Sequence, residues 1–134
     1  MNPKIIYTGF FVDDRDGLLK QFPPKHSKVY AHHSTNRFRP KDTRDLELGK
    51  KSNIKIVGRA HDERGDALLV ENIKSENKYP HITVSCAEGI PPHYSKEMLE
   101  RAVQNGAIEM FETPILVAVT EGYYNSDGQT ILTI

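Results

Sequence analysis

Residues 80–86, Pro-His-Ile-Thr-Val-Ser-Cys, decide how this chain is read. Successive side chains of a β-strand point to opposite faces. His81, Thr83 and Ser85 therefore share one face, and Ile82, Val84 and Cys86 share the other. The second set is apolar and belongs against a core, which makes Cys86 a small core residue rather than a nucleophile. The first set offers an imidazole and a hydroxyl to a single cleft.

The same pairing occurs at His33-Ser34-Thr35, within a strand expected over Lys28 to Phe38. Here His33, Thr35, Arg37 and Arg39 share a face. The opposite face, His32, Ser34, Asn36 and Phe38, is unusually polar for a core. Register selects His33 over His32, because only His33 has a threonine two positions on. A strand histidine is more often structural than catalytic, and threonine is a common strand former. Two such pairs shift the balance, because two imidazoles and two hydroxyls suffice for acid–base chemistry on a phosphate.

Working outward, Lys4 to Val12 is β-branched and aromatic, a buried strand. Asp13 or Asp14 caps a short helix with Leu18, Leu19 and Phe22 on its apolar side, and Pro23-Pro24 ends it. Pro40 to Ser52 reads as a loop with one helical turn around Leu46 and Leu48. Asn53 to His61 and Ala67 to Ile73 flank Asp62-Glu63-Arg64-Gly65 as a hairpin. Ser95 is the expected N-cap of a helix whose apolar positions include Tyr94, Met98, Leu99, Ala102 and Val103. Gly106 stands at its C-terminus. Pro114 to Thr120 and Gln129 to Ile134 complete the strands, with a turn at Asn125-Ser126-Asp127-Gly128. Strands outnumber helices and are joined by hairpins, which predicts an α+β fold with largely antiparallel sheets and two main helices. One helix precedes the first motif strand and one follows the second, which suggests two lobes with a central cleft.

The 134 residues form one domain in this reading, 37% hydrophobic and 27% charged. Lys plus Arg and Asp plus Glu both number 18, so net charge argues against a general nucleic-acid binder. A single cysteine excludes an intrachain disulfide, and no apolar run approaches the roughly 20 residues that span a bilayer. Met1-Asn2-Pro3-Lys4 lacks the apolar stretch of a signal peptide. A soluble, intracellular, cytoplasmic protein is expected.

Charge clusters locally. Lys25, Lys28, Arg37, Arg39, Lys41 and Arg44 face one acid, Asp42, between positions 25 and 44. Arg37 is the cation placed to reach phosphate from the first motif. Lys25, His26, Arg39, His93 and Tyr94 are candidates for the cleft rim, His93 because a helix N-terminus offers amides to an anion. No histidine shows zinc-ligand spacing, so metal-independent chemistry without a cofactor is expected.

With its two His-x-Thr stretches, and with YTGFFVDD, PPKHSKVYAHHSTNRF and PHITVSCAEGIPPHYSKEML around them, the chain resembles the two-histidine (2H) phosphoesterase superfamily. The likeness extends to RNA 2′,3′-cyclic phosphodiesterases and RNA-repair-related members. The resemblance implies a bilobal 2H phosphoesterase-like fold, His33 and His81 as the catalytic pair, and Thr35 and Thr83 as phosphate ligands. It further implies an RNA end or small nucleotide with a cyclic phosphate as substrate. Cyclic or 2′–5′-linked oligonucleotides, and a non-catalytic module that binds RNA ends or nucleotides, are the alternatives. Oligomeric state is not encoded in any of these features.

Overall fold

In a computed structural model, which describes residues 4–133, eight strands and two helices follow the order β1 (Ile5–Val12), α1 (Arg15–Gln21), β2 (Lys28–Val29), β3 (His33–Phe38), β4 (Lys51–His61), β5 (Gly65–Glu71), β6 (His81–Cys86), α2 (Tyr94–Gln104), β7 (Glu109–Asn125) and β8 (Thr130–Ile131). Met1 to Pro3, and Ile134 at the end of the expected last strand, lie outside the described residues. Every strand pairing is antiparallel, as the α+β reading expects.

The strand order β1-β3-β6-β5-β4-β7 returns to β1 through a β1–β7 pairing, so six strands close into a barrel. β7 makes this possible by its length. Its first part pairs with β4 from Glu109 to Thr120, and its second part pairs with β1 from Val119 to Asn125. The expectation of two lobes did not include this pairing, which joins all the sheet into one ring. Pro114 does not begin a strand, as expected, but sits inside β7. It falls where the register against β4 slips between Ile56 and Gly58, and such a bulge is a setting in which a strand tolerates a missing N–H donor.

The ring encloses Phe10, Ile54, Ile56, Leu68, Val70, Ile82, Val84, Val117 and Val119, and α1 adds Leu18 and Phe22 to them. A second cluster forms where Tyr94, Met98, Leu99 and Ala102 of α2 pack on Ala60 and Ala67 of β4 and β5. Asp14 caps α1 by accepting from the Gly17 amide at 2.9 Å. α2 ends in a Schellman turn: Gly106 has φ +65°, its amide bonds Val103 O, and Ala107 N bonds Ala102 O.

Three local expectations need correction. The segment at Leu46 and Leu48 has turns closed by Leu46 N to Thr43 O and Lys50 N to Glu47 O, with no helical turn. Ser95 is not the N-cap of α2. His93 holds that position without a capping side-chain bond, and Ser95 is fully buried inside the helix. The strand expected over Lys28 to Phe38 is broken by Ala31, whose φ is +59°.

That break carries structural weight. Val29 pairs with Ser85 and Ser34 with Ile82, so five steps on one side match three on the other. The extra residues form a bulge that re-aims the following side chains, a device common beside functional sites. Beyond it, the polar far face of β3 is largely hydrogen-bonded, with Asn36 Nδ2 left without a partner among the described residues. Ser34 and Asn36 are buried, and Asn72 Nδ2 donates to Ser34 Oγ at 3.0 Å and to Asn36 Oδ1 at 2.7 Å.

Candidate active site

β3 and β6 are neighbours in the ring, antiparallel and registered at Ser34 against Ile82. That register sets the two motifs head to tail, with the His of each beside the Thr of the other. All four residues line one cavity of about 640 Å³, together with Tyr30, His32, Asn36, Phe38, Glu76, Asn77, Pro92, His93 and Lys96. The cavity lies on the outer face of the barrel strands, because the alternate residues Ile82 and Val84 fill the interior. The N-terminus of α2 and the segment around Glu76 wall it.

Each imidazole is held from behind. His81 is 8% exposed, and its Nδ1 donates to the Tyr79 carbonyl at 2.8 Å. A carbonyl only accepts, so the proton is fixed on Nδ1 and Nε2 of the neutral ring keeps its lone pair. His33 stacks on the Tyr7 ring with centroids 4.5 Å apart, and Tyr7 in turn stacks on Tyr124 at 5.3 Å. His33 Nε2 lies 3.1 Å from Thr35 Oγ1, and its Nδ1 is 3.4 Å from Tyr7 Oη. Thr83 Oγ1 is 2.8 Å from Ser95 Oγ, which ties the second motif to α2 and explains why Ser95 is buried.

Electrostatics favour neutral rings. Burial lowers the His33 pKa to about 4, with added repulsion from His32 and His81. Burial also lowers that of His81, and Lys96 adds to the effect, while the bond to Tyr79 opposes it. His32 is lowered too, by burial and then by Arg15. An anion among these groups reverses the sign of their mutual influence and raises the pKa values.

Of the other expected residues, only His93 lines the cavity. Arg37 does not lie on the anticipated face: a register shift against β1 leaves Asn36 as an extra residue on β3 and sets Arg37 opposite Thr8, where its Nε is 3.2 Å from Asp45 Oδ2 and it does not line the cavity. Arg39 does not line it either; its guanidinium lies 5.4 Å from the centre of the Phe38 ring. Lys25 borders a separate hollow with Arg59 and His61, its amide donating to Asp66 Oδ2 and Ser85 Oγ. His26 Nε2 is 2.8 Å from the Asp62 carbonyl, which holds the ring at the β4–β5 hairpin. Tyr94 turns away and donates to Asp62 Oδ2 at 2.5 Å. The free amides expected at the start of α2 are engaged: those of Tyr94, Ser95 and Lys96 bond the carbonyls of Pro91, Pro92 and His93.

Lys96 is the cation that sequence reasoning missed. It lies three residues after His93, and residues at that spacing share a helix face, so the signal was present. Tyr7 was also missed as the support of His33. Among the described residues, no three His, Cys, Asp or Glu side chains are grouped to hold a metal ion, and no helix is long and apolar enough to cross a membrane.

His33, Thr35, His81 and Thr83 thus meet at one cavity from adjacent antiparallel strands. The family model of the fungal tRNA ligase phosphodiesterase domain matches residues 20–130. The chain belongs to that family, and with it to the 2H phosphoesterase superfamily, among whose RNA-repair-related members it fits. No curated protein matches the chain.

Proposed function

We propose that this protein is a metal-independent phosphodiesterase that opens 2′,3′-cyclic phosphates at RNA ends or on nucleotides. The observation that carries the reading is the convergence of His33, Thr35, His81 and Thr83 on one cavity from adjacent antiparallel strands. In this reading that cavity is the central cleft of the bilobal 2H fold. One neutral imidazole takes a proton from water, whose oxygen attacks phosphorus. The other, protonated once the anion is bound, gives its proton to the departing ribose oxygen. The family name, which specifies a phosphodiesterase domain of a tRNA ligase, supports both the reaction class and an RNA end as substrate.

Thr35 and Thr83 hold the non-bridging oxygens, and Lys96 supplies the cation facing the developing charge. Lys96 replaces Arg37 in this role, since Asp45 already neutralises Arg37. Hydrolysis of a 2′,3′-cyclic nucleotide in EDTA tests the proposal. His33→Ala and His81→Ala should each lower kcat/KM by at least about 10²–10⁴-fold, the range of one acid–base group. Full activity in either variant would falsify the assignment. Saturable binding without product would favour the non-catalytic module, and a panel including 2′–5′-linked and cyclic oligonucleotides separates the remaining substrates.

A further inference from the structure

The cavity is longer than the reacting group needs. It runs along β3 from Tyr30 and His32 past the two motifs to Phe38. Ser34 and Phe38 pair with Phe10 and Tyr7 of β1, three residues apart, and a strand rises about 3.3 Å per residue, so Phe38 lies about 10 Å beyond the level at which the motifs pair. Tyr30 and His32 provide rings at one end and Phe38 at the other, with the catalytic groups between them.

Phe38 is 59% exposed, although it is a large apolar side chain at the edge of a cavity otherwise rich in polar groups. Arg39 covers one face of its ring, at 5.4 Å from the centroid, and the exposure leaves the other face open. Arg39 takes φ +47°, a left-handed conformation that costs a side-chain-bearing residue about 1 kcal/mol or more. Its amide bonds Ile6 O at 2.7 Å, which stabilises the turn that carries the guanidinium back over the ring. Backbone strain of this kind collects where geometry serves a ligand. The opposite wall at this end is formed by Glu76 and Asn77, with Glu76 N bonded to Asn36 O at 2.8 Å.

We infer that Phe38 and Arg39 form a subsite for the nucleotide preceding the cyclic phosphate, so that the substrate is the end of an RNA strand rather than a free nucleotide. The base stacks on the open face of Phe38, and Arg39 pairs with the phosphate that links this nucleotide to the terminal one. Exposed aromatic rings beside cations are how proteins hold single-stranded RNA without reading its sequence.

The inference rests on the proposed cyclic-phosphate reading, and its test separates the two. Values of kcat/KM are compared for a trinucleotide ending in a 2′,3′-cyclic phosphate and for a 2′,3′-cyclic mononucleotide. The trinucleotide should be favoured by about tenfold or more, the scale of one stacked base. Phe38→Ala should bring that ratio within about twofold of one, Phe38→Trp should keep it, and Arg39→Ala should reduce it and flatten its dependence on salt. A wild-type ratio near one, or a ratio unmoved by Phe38→Ala, overturns the subsite. If neither compound turns over, hydrolysis is what fails. Binding of the same trinucleotide, followed by fluorescence anisotropy, then decides the subsite: tenfold weaker binding in Phe38→Ala supports it, and equal binding overturns it.

Discussion

The two motif strands bring the same chemistry to one cavity from opposite kinds of backing. β6 sets His81 and Thr83 against an apolar far side, where Ile82 and Val84 are fully buried in the barrel core. β3 sets His33 and Thr35 against Ser34 and Asn36, which are buried in a hydrogen-bonded group with Asn72. β6 carries one register shift against β5, just beyond its motif, whereas β3 follows a bulge at Ala31, carries another at Asn36 and ends in left-handed backbone at Arg39. One copy is anchored by packing and the other by directed polar bonds. The difference teaches that the motif specifies only the reacting face; position in the barrel decides how each copy is held.

The largest effects should come from the packed strand. Ile82→Ala removes a fully buried side chain from the barrel interior and should cost about 2–5 kcal/mol, measured by urea denaturation. Ser34→Ala, one strand away, removes one of the two bonds that Asn72 Nδ2 makes and should cost only about 1 kcal/mol. Equal losses at the two positions would erase the distinction between apolar and polar backing.

The next effect separates the histidines by pH. His33 is held near 4 in the fold, against an ordinary value of about 6.5, so below the ordinary value the unfolded chain binds more protons than the folded one. Stability from this group is fully present above about pH 6.5, is lost as pH falls, and is exhausted near pH 4, on the order of 3 kcal/mol in all. His81 shifts in the same direction, with the Tyr79 carbonyl opposing. His33→Gln should therefore flatten the acid side of the stability profile more than His81→Gln does, read as urea midpoints between pH 4 and 7. The reverse order would place the greater burial cost on β6.

Much of this contrast was legible in the sequence. Alternation alone identified His81 and Thr83 as one face of β6 and Ile82 and Val84 as the other, and it flagged the far side of β3 as too polar for an ordinary core. It failed beyond Val84, where a register shift against β5 turns Ser85 to Asp66 and leaves Cys86 buried beside Pro91 rather than in the barrel core. Capping at Asp14 and the glycine at 106 are local signals, and both elements end where those signals stand. The barrel closure was hidden because it joins β1 to β7 across almost the whole chain, and nothing local marks a strand as having two partners. Ser95 was misread because a serine before a helix favours an N-cap, yet its hydroxyl is used by Thr83. Gly65 was legible as a turn glycine for the wrong reason. Its φ is not positive; a Cβ there would lie 2.9 Å from the Tyr94 ring, so the residue is small to let α2 approach. The basic run from Lys25 to Arg44 misled because sequence displays charges without their partners.

The smallest effect tests that last point, by comparing the cation after the first motif with the one that α2 brings to the cavity. Arg37 follows Thr35 in sequence, but the extra residue at Asn36 turns it to the other face, its partner Asp45 comes from the loop beyond β3, and both side chains are more than a third exposed. An exposed ion pair is worth about 0–1 kcal/mol, so Arg37→Ala should change neither stability nor kcat/KM by more than about twofold to threefold. Lys96 lines the cavity and, among the described residues, makes no salt bridge, so its charge is available to an anion. Lys96→Ala should lower kcat/KM on a cyclic nucleotide by about tenfold, the worth of one charge-assisted bond to phosphate. Because Lys96 also depresses the His81 pKa, its removal should move the acid limb of the rate profile upward in pH. Arg37→Ala should leave that limb in place. A larger loss from Arg37→Ala than from Lys96→Ala would return the phosphate-binding cation from α2 to β3.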